Sequence, residues 1–130
     1  MKIKEIMRPV RTIEKNSTVR EAAKIMAKNR IGSLIVVEGK KIIGIMTERD
    51  ILTKITAEGK SSERIYVKDI MTAKVLTIAP DKFIDDAVHI MILNNIKKLP
   101  VVDGNELVGI VTSTDIVANS SEIGEYFLIG

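Results

Sequence analysis

The sequence predicts a mixed α/β (α+β) fold built from two copies of one β-α-β-β-α unit. The main observation is an internal repeat, because "AAKIMAKNRIGSLIVVEGKKIIGIMTERDIL" from Ala22 aligns without a gap with "AVHIMILNNIKKLPVVDGNELVGIVTSTDIV" from Ala87. Roughly 14 of 31 positions are identical at an offset of about 65 residues, which indicates a tandem duplication. Helical periodicity and paired apolar runs define the elements within each copy.

Each copy contains one long amphipathic helix, since apolar residues recur at i, i+3, i+4, i+7 and i+8. Ser17 and Asp81 precede the two periodic segments and are the expected N-caps. We expect the apolar stripe of each helix to face the core. The two stripes are Val19, Ala22, Ala23, Met26 and Ala27, and Ile84, Ala87, Val88, Met91 and Ile92.

Each helix is followed by two short apolar runs joined through a glycine, which predicts a β-hairpin. The runs are "LIVV" and "IIGIM" around Gly39, and "LPVV" and "LVGIV" around Gly104. Their hydrophobicity is continuous, which indicates sheets covered on both faces. "RTI" and "LTI" predict a strand before each first helix, and second helices are expected over residues 48 to about 57 and 113 to about 119.

The repeat sets the predicted domain organisation. The first repeat covers residues 1–58, a linker covers 59–65, and the second repeat covers 66–119. Because about sixty residues bury too little apolar surface alone, the two copies are expected to pack on each other. The tail, residues 120–130, ends in an apolar segment that is expected to dock on its own core or on a second subunit.

Composition disfavours several classes of function. The net charge is only +3, with basic and acidic residues interspersed, and aromatic residues are 3% of the chain, too few for a surface that stacks nucleic-acid bases. Nucleic-acid binding is therefore disfavoured. The absence of cysteine excludes disulfides and thiolate metal sites. His89, the single histidine, has no second ligand at metal spacing and is interpreted as a surface residue.

No segment predicts secretion or membrane insertion. The opening "MKIKEIMRPV" is charged where a signal peptide is apolar, and no apolar run approaches the roughly 18 residues of a membrane span. We expect a soluble cytoplasmic protein. No catalytic set of residues converges in the sequence, so an enzyme is not predicted. Met26, Met46, Met71 and Met91 are interpreted as core residues.

A short motif occurs once in each copy, as "GIMTERDI" and "GIVTSTDI". In the simpler interpretation, Thr47 and Asp50, and likewise Thr112 and Asp115, form capping boxes at the start of a helix. The threonine then accepts from the N3 amide, and the acidic N3 side chain accepts from the N-cap amide. This interpretation needs no ligand.

In the second interpretation the same residues bind a ligand. Amide groups at a helix N-terminus favour a phosphate, a threonine hydroxyl adds a donor, and a carboxylate can accept from two ribose hydroxyls at once. Gly44 and Gly109 would let the ligand approach the strand closely. The residues alone leave both interpretations open.

The order of "EIM", "TI", a helix and "LIVVEGKKIIGIMTERDIL", repeated as "DIM", "TI", a helix and "KKLPVVDGNELVGIVTSTDIV", resembles a tandem pair of CBS domains, often called a Bateman module. The resemblance covers nearly all of residues 1–118. It implies two β-α-β-β-α repeats related by a pseudo-twofold axis, with packed sheets flanked by helices. It also implies clefts between the repeats for AMP, ADP, ATP or S-adenosylmethionine, no covalent cofactor, homodimerisation, and regulation of a separate partner rather than catalysis.

The resemblance also assigns roles to single residues. Asp50 and Asp115 would bind the ribose hydroxyls, with Thr47 and Thr112 contacting ribose or phosphate. The positions facing adenine would be Thr12, Ile13 and Ile31 in the first copy, and Thr77, Ile78 and Ile96 in the second. We expect each cleft to combine the threonine and aspartate of one copy with the strand edge of the other.

The phosphate end differs between the copies. Lys97 and Lys98 match positions that are often basic in the family, whereas the first copy has Gly32 and Ser33 there. Arg49 has Thr114 as its counterpart. We therefore predict unequal sites, the tighter one containing Arg49 and Asp50, with Lys97 or Lys98 shared.

Two classes of function follow from these interpretations. The first is an energy-sensing regulatory module, in which an adenosine nucleotide biases how the repeats or subunits pack. An S-adenosylmethionine or NAD-type ligand is an alternative within this class. The second is a ligand-independent dimerisation or assembly module, in which both threonine and aspartate pairs act only as caps.

Overall fold

The structure is a computed structural model that describes residues 1–120, and the predicted docking of the tail lies outside these residues. The predicted mixed α/β (α+β) class is confirmed. In chain order the elements are a 3-10 helix Ile3–Glu5, β1 Thr12–Glu14, α1 Val19–Asn29, β2 Ser33–Glu38, β3 Lys41–Thr47, α2 Glu48–Ile51, a π-helix Leu52–Thr56, α3 Val67–Ile70, α4 Ile84–Asn94, β4 Lys98–Asp103, β5 Glu106–Thr112 and α5 Ser113–Ala118.

The chain forms two compact units, and their residue ranges differ from those of the two sequence repeats. Residues 11–75 form the first-repeat unit, and Met1–Val10 join residues 76–120 in the second-repeat unit. The first ten residues, which belong to the predicted first repeat, thus pack with the second. In the first-repeat unit the equivalent place is taken by α3, whose Val67 and Ile70 are buried in its core.

The first-repeat unit contains a three-stranded sheet of order β1-β2-β3. β1 is parallel to β2, and β2 is antiparallel to β3. Four consecutive residues of β2, 34–37, are buried, as the continuous apolar run predicts. Helix α1 begins after Thr18, whose side chain accepts from the Glu21 amide, so the prediction of Ser17 as N-cap was wrong. The Val19 amide donates to Ile65 O at 2.9 Å, and this long-range bond helps to set the start of the helix.

The second-repeat unit contains the antiparallel β4-β5 hairpin. The predicted "LTI" strand is reduced to a single parallel bridge between Ile78 and Val101. Helix α4 is capped at Phe83 instead of Asp81, and the Asp86 carboxylate accepts from the Phe83 amide at 2.9 Å. The chain segment 1–5 forms backbone bonds with residues 80–84, which moves the start of the helix along the chain.

The predicted stripe of α4 is only partly correct. Ala87 and Met91 are buried in the core, but Ile92 is 73% exposed and the following Leu93 is 82% exposed. The prediction that Met26, Met46, Met71 and Met91 pack in the cores is confirmed. Within residues 1–120, no helix has the length and apolar character needed to cross a bilayer, and no group of acidic or histidine side chains could hold a metal ion.

Candidate functional site

The two copies of the motif form equivalent helix starts, one in each unit. At the β3-α2 junction, Thr47 Oγ1 accepts from the Asp50 amide at 3.3 Å, and Asp50 Oδ2 accepts from the Thr47 amide at 2.8 Å. At the β5-α5 junction, the corresponding Thr112 and Asp115 distances are 3.2 and 3.1 Å. The capping boxes predicted from the sequence are therefore present in both units.

The amide groups at these helix starts are largely bonded within the chain. Besides the N-cap and N3 amides of the capping boxes, the N1 amides also have partners. The Glu48 amide donates to Gly32 O at 3.0 Å, and the Ser113 amide donates to Lys97 O at 2.9 Å. The expectation that free amides at these helix starts would receive a phosphate is therefore wrong for the N-cap, N1 and N3 positions.

The second oxygen of each motif aspartate forms an ion pair. Asp50 Oδ1 lies 3.0 Å from Lys54 Nζ, and Asp115 Oδ1 lies 2.5 Å from Arg8 Nε. Both aspartates are buried, and no other charged residue among residues 1–120 is buried. Burying a carboxylate is costly unless it is paired and hydrogen-bonded, so the two cations stabilise the motif.

The two cations come from different parts of the fold. Lys54 follows Asp50 on the same helical segment at spacing i, i+4, and its counterpart in the second repeat is Asn119. Arg8 belongs to the N-terminal segment, where its backbone forms an antiparallel bridge with Ile110 of β5. Neither residue was predicted from the sequence as part of the site. The i, i+4 spacing could have indicated Lys54, whereas no local pattern connects Arg8 with Asp115.

The motif glycines accommodate the chain itself. A Cβ atom at Gly109 would lie 2.9 Å from Arg8 O and 3.0 Å from Met7 Sδ. A Cβ atom at Gly44 would clash with Met71 and lie 3.0 Å from Thr72 O. The space predicted for a ligand beside each glycine is thus occupied by the segment that bridges to the strand.

The other predicted site residues are distributed over both units. Ile13 and Ile78 are buried in the cores, Ile31 and Ile96 pack partly buried against them, and Lys98 is half-buried in β4. Five of the predicted residues have exposed side chains: Thr12, Arg49, Thr77, Lys97 and Thr114. The predicted combination of one repeat's aspartate with the other repeat's strand edge stays a prediction.

Two open clefts include some of these residues. A cleft of about 460 Å³ in the first-repeat unit is lined by α1, Ile31 and the start of α2. A cleft of about 350 Å³ in the second-repeat unit is lined by Thr77, Ile78 and the α4 side chains Asp86 and His89. His89 is exposed as predicted, but it lies beside two predicted ligand residues.

Solved structures resemble nearly the whole chain. A CBS-domain protein from Burkholderia ambifaria is 36% identical with a TM-score of 0.85, covering 96% of each chain. The CBS domain pair of protein MJ0100, in complex with 5′-methylthioadenosine and S-adenosyl-L-methionine, is 36% identical with a TM-score of 0.81, covering 97% of this chain and 98% of that one. A hexameric CBS-CP12 protein from bloom-forming cyanobacteria is 29% identical with a TM-score of 0.87, covering 95% and 73%.

The sequence also matches a family model along both repeats. The CBS domain model matches residues 3–57 and again residues 67–122. The chain spans little more than half the length of some curated relatives, 57% and 52% in two cases. Two matches of one model, in a chain that folds as two units with equivalent helix starts, assign the family. The chain belongs to the CBS domain family and contains two CBS domains in tandem.

Proposed function

We propose that this CBS pair is a regulatory, non-catalytic module that binds an adenosine nucleotide, AMP, ADP or ATP, and regulates a separate partner protein. The observation that carries the proposal is a buried, ion-paired aspartate at the equivalent helix start of each repeat. A carboxylate can accept from both hydroxyls of a ribose, and this chemistry is common to all adenosine-containing ligands.

Similarity to a ligand-bound CBS pair supports the ligand class. The MJ0100 pair, at 36% identity, is in complex with two adenosine-containing molecules. Neither of those molecules carries a phosphate, so the choice of a nucleotide rests on this chain's own basic residues. Arg49, Lys97 and Lys98 are not needed to cap a helix, and we assign them to the phosphate end. We further propose that the site with Arg49 and Asp50 is the tighter one. A cytoplasmic location remains a prediction from the sequence.

Replacing Asp50 by alanine is expected to weaken nucleotide binding at that site about ten- to a hundredfold. The physical reason is the loss of charge-assisted hydrogen bonds worth on the order of 1.5–3 kcal/mol. Isothermal titration with AMP, ADP, ATP and S-adenosylmethionine, after removal of copurified nucleotide, measures the effect.

Asp69→Ala is the matched control for this substitution. Asp69 is also an N3 carboxylate that accepts from an N-cap amide, that of Tyr66, but it lies outside the motif. It should change stability without changing nucleotide affinity. An affinity that is the same in wild type and Asp50→Ala would refute the site assignment.

Ligand-independent assembly is the second candidate function, and exposed apolar residues favour it. Ile92 and Leu93 of α4 are strongly exposed, whereas their counterparts in α1 are Ala27 and Lys28. Exposed apolar groups of this kind mark contact surfaces. We propose that α4 contributes to a homodimer, and the similar CBS-CP12 protein is hexameric.

Exchanging these residues for those of the other repeat tests the assembly surface. The double variant Ile92→Ala, Leu93→Lys is expected to shift the protein toward the monomer, because it removes apolar area and adds charge. Sedimentation velocity over a tenfold or wider range of concentration measures the shift. Leu76→Lys, at another exposed apolar residue, is the control that should leave the assembly unchanged. Unchanged sedimentation of the double variant would exclude α4 from the interface.

A further inference from the structure

The motif aspartates have few acceptor positions left for a ligand. A carboxylate offers about four lone-pair sites. At Asp50, two are used by the Thr47 amide and hydroxyl, at 2.8 and 3.2 Å, and a third faces Lys54. Three positions are also used at Asp115. Two accept from the Thr112 amide and hydroxyl, at 3.1 and 2.8 Å, and the third faces Arg8. A ribose diol needs two acceptors, so it cannot bind bidentately while the three protein contacts persist.

The cation is the contact that a ligand can displace most readily. The threonine amide belongs to the backbone of the capping box, and the hydroxyl is fixed by the N3 amide. By contrast, the Arg8 side chain is 68% exposed while the Asp115 side chain is only 3% exposed. The Lys54 side chain is about half-exposed, and its Nζ also donates to Ile70 O at 2.7 Å. Both cations can therefore swing toward solvent without breaking the cap.

We infer that Arg8 and Lys54 are specificity-determining residues that make the two sites prefer phosphate-bearing adenosine ligands over neutral adenosine. This inference rests on the proposed function. A neutral nucleoside replaces the ion pair on a buried carboxylate by hydrogen bonds from uncharged hydroxyls, and it offers the displaced cation no anion in return. A nucleotide supplies its phosphate to that cation, so the charge pairing is regained.

The preference for phosphate-bearing ligands over adenosine is expected to be larger at the Asp115 site than at the Asp50 site. Arg8 presents a planar guanidinium that can bind phosphate through two parallel hydrogen bonds, whereas Lys54 is a single-point donor. The Arg8 backbone is held by the bridge to Ile110, with distances of 2.9 and 3.0 Å, so the base of its side chain stays in place when the guanidinium moves. Lys54 has the Ile70 carbonyl as an alternative partner, which lessens the effect of its displacement.

The experiment compares AMP and adenosine on one site at a time. In the Asp50→Ala background, isothermal titration gives the ratio of AMP to adenosine affinity at the Asp115 site, with and without Arg8→Gln. The Asp115→Ala background gives the same ratio at the Asp50 site, with and without Lys54→Gln. We expect Arg8→Gln to lower the ratio about tenfold and to raise the affinity for adenosine itself, and Lys54→Gln to lower the ratio by a smaller factor.

Controls separate this specificity from a general effect of charge or stability. Arg11→Gln and Lys60→Gln remove the same charge at exposed positions and should keep the ratio. Arg8→Lys keeps a cation but offers only a single-point donor, so it should recover part of the ratio. A ratio unchanged by both Arg8→Gln and Lys54→Gln would overturn the inference while leaving the proposed function intact. A wild-type protein that binds neither AMP nor adenosine at millimolar concentration would overturn both.

Discussion

Ile3→Ala is expected to lower the free energy of unfolding of the second-repeat unit by about 2–5 kcal/mol, the range for truncating a buried isoleucine. Ile3 is the third residue of the chain, and its exposed fraction is nevertheless 0%. It packs with Ile6, Leu99, Val101 and other residues of that core. The substitution removes apolar contacts and leaves a cavity that the 3-10 helix cannot fill.

A truncation of the same size at an exposed site of the same unit is the control. Leu76→Ala removes three carbon atoms from a side chain that is 43% exposed, and it should lower stability by about 1 kcal/mol or less. Urea unfolding monitored by amide hydrogen exchange measures the stability of each unit separately. If Ile3→Ala costs no more than Leu76→Ala, the N-terminal segment does not complete the second-repeat core.

Gly109→Val is expected to destabilise the protein by about 3 kcal/mol, at the upper end of the usual range for overpacking. A single Cβ atom at this position would already lie 2.9 Å from Arg8 O, which is backbone and cannot rotate away. The larger side chain must therefore separate the N-terminal segment from β5. Strand propensity alone predicts the opposite sign, because valine is favoured over glycine in strands.

The sign of the change in the free energy of unfolding of Gly109→Val decides between overpacking and strand propensity. Unfolding in urea gives that sign, and hydrogen exchange shows whether the bridge between Arg8 and Ile110 is lost. In the wild type both amides are bonded across the bridge, at 2.9 and 3.0 Å, and both should exchange faster in the variant. A more stable variant with protected amides would mean that the segment does not lie against Gly109.

Most elements of the fold could be predicted because their signals are local. The apolar spacing of α1 and the continuous apolar runs of β2 and β4 depend only on neighbouring residues, and the structure contains all three. The predicted N-caps failed because the helix starts depend on distant residues. The Val19 amide is bonded to Ile65 O, and the Ile84 amide to Met1 O, at 2.9 and 3.1 Å. No window of the sequence contains both partners of such a bond.

The candidate site shows the same division between local and distant signals. The capping boxes use residues three apart, so the sequence predicted the pairing of Thr47 with Asp50 and of Thr112 with Asp115. The ion pair of Arg8 with Asp115 connects the two ends of the described chain. It depends on the docking of the first ten residues onto the second repeat, which the periodicity of either segment does not encode.

The docking of residues 1–10 on the second-repeat unit also determines the order in which the chain can fold during synthesis. Residues 11–75 are continuous, so the first-repeat unit has all its parts as soon as Val75 has left the ribosome. The second-repeat core is complete only when residues 99–111 have been made, so the packing of Ile3 and Ile6 with Leu99, Val101 and Val111 forms late. Residues 1–10 are therefore made before the first-repeat unit but are fully packed only after it. The contacts that close the second-repeat unit have a high contact order, which slows folding.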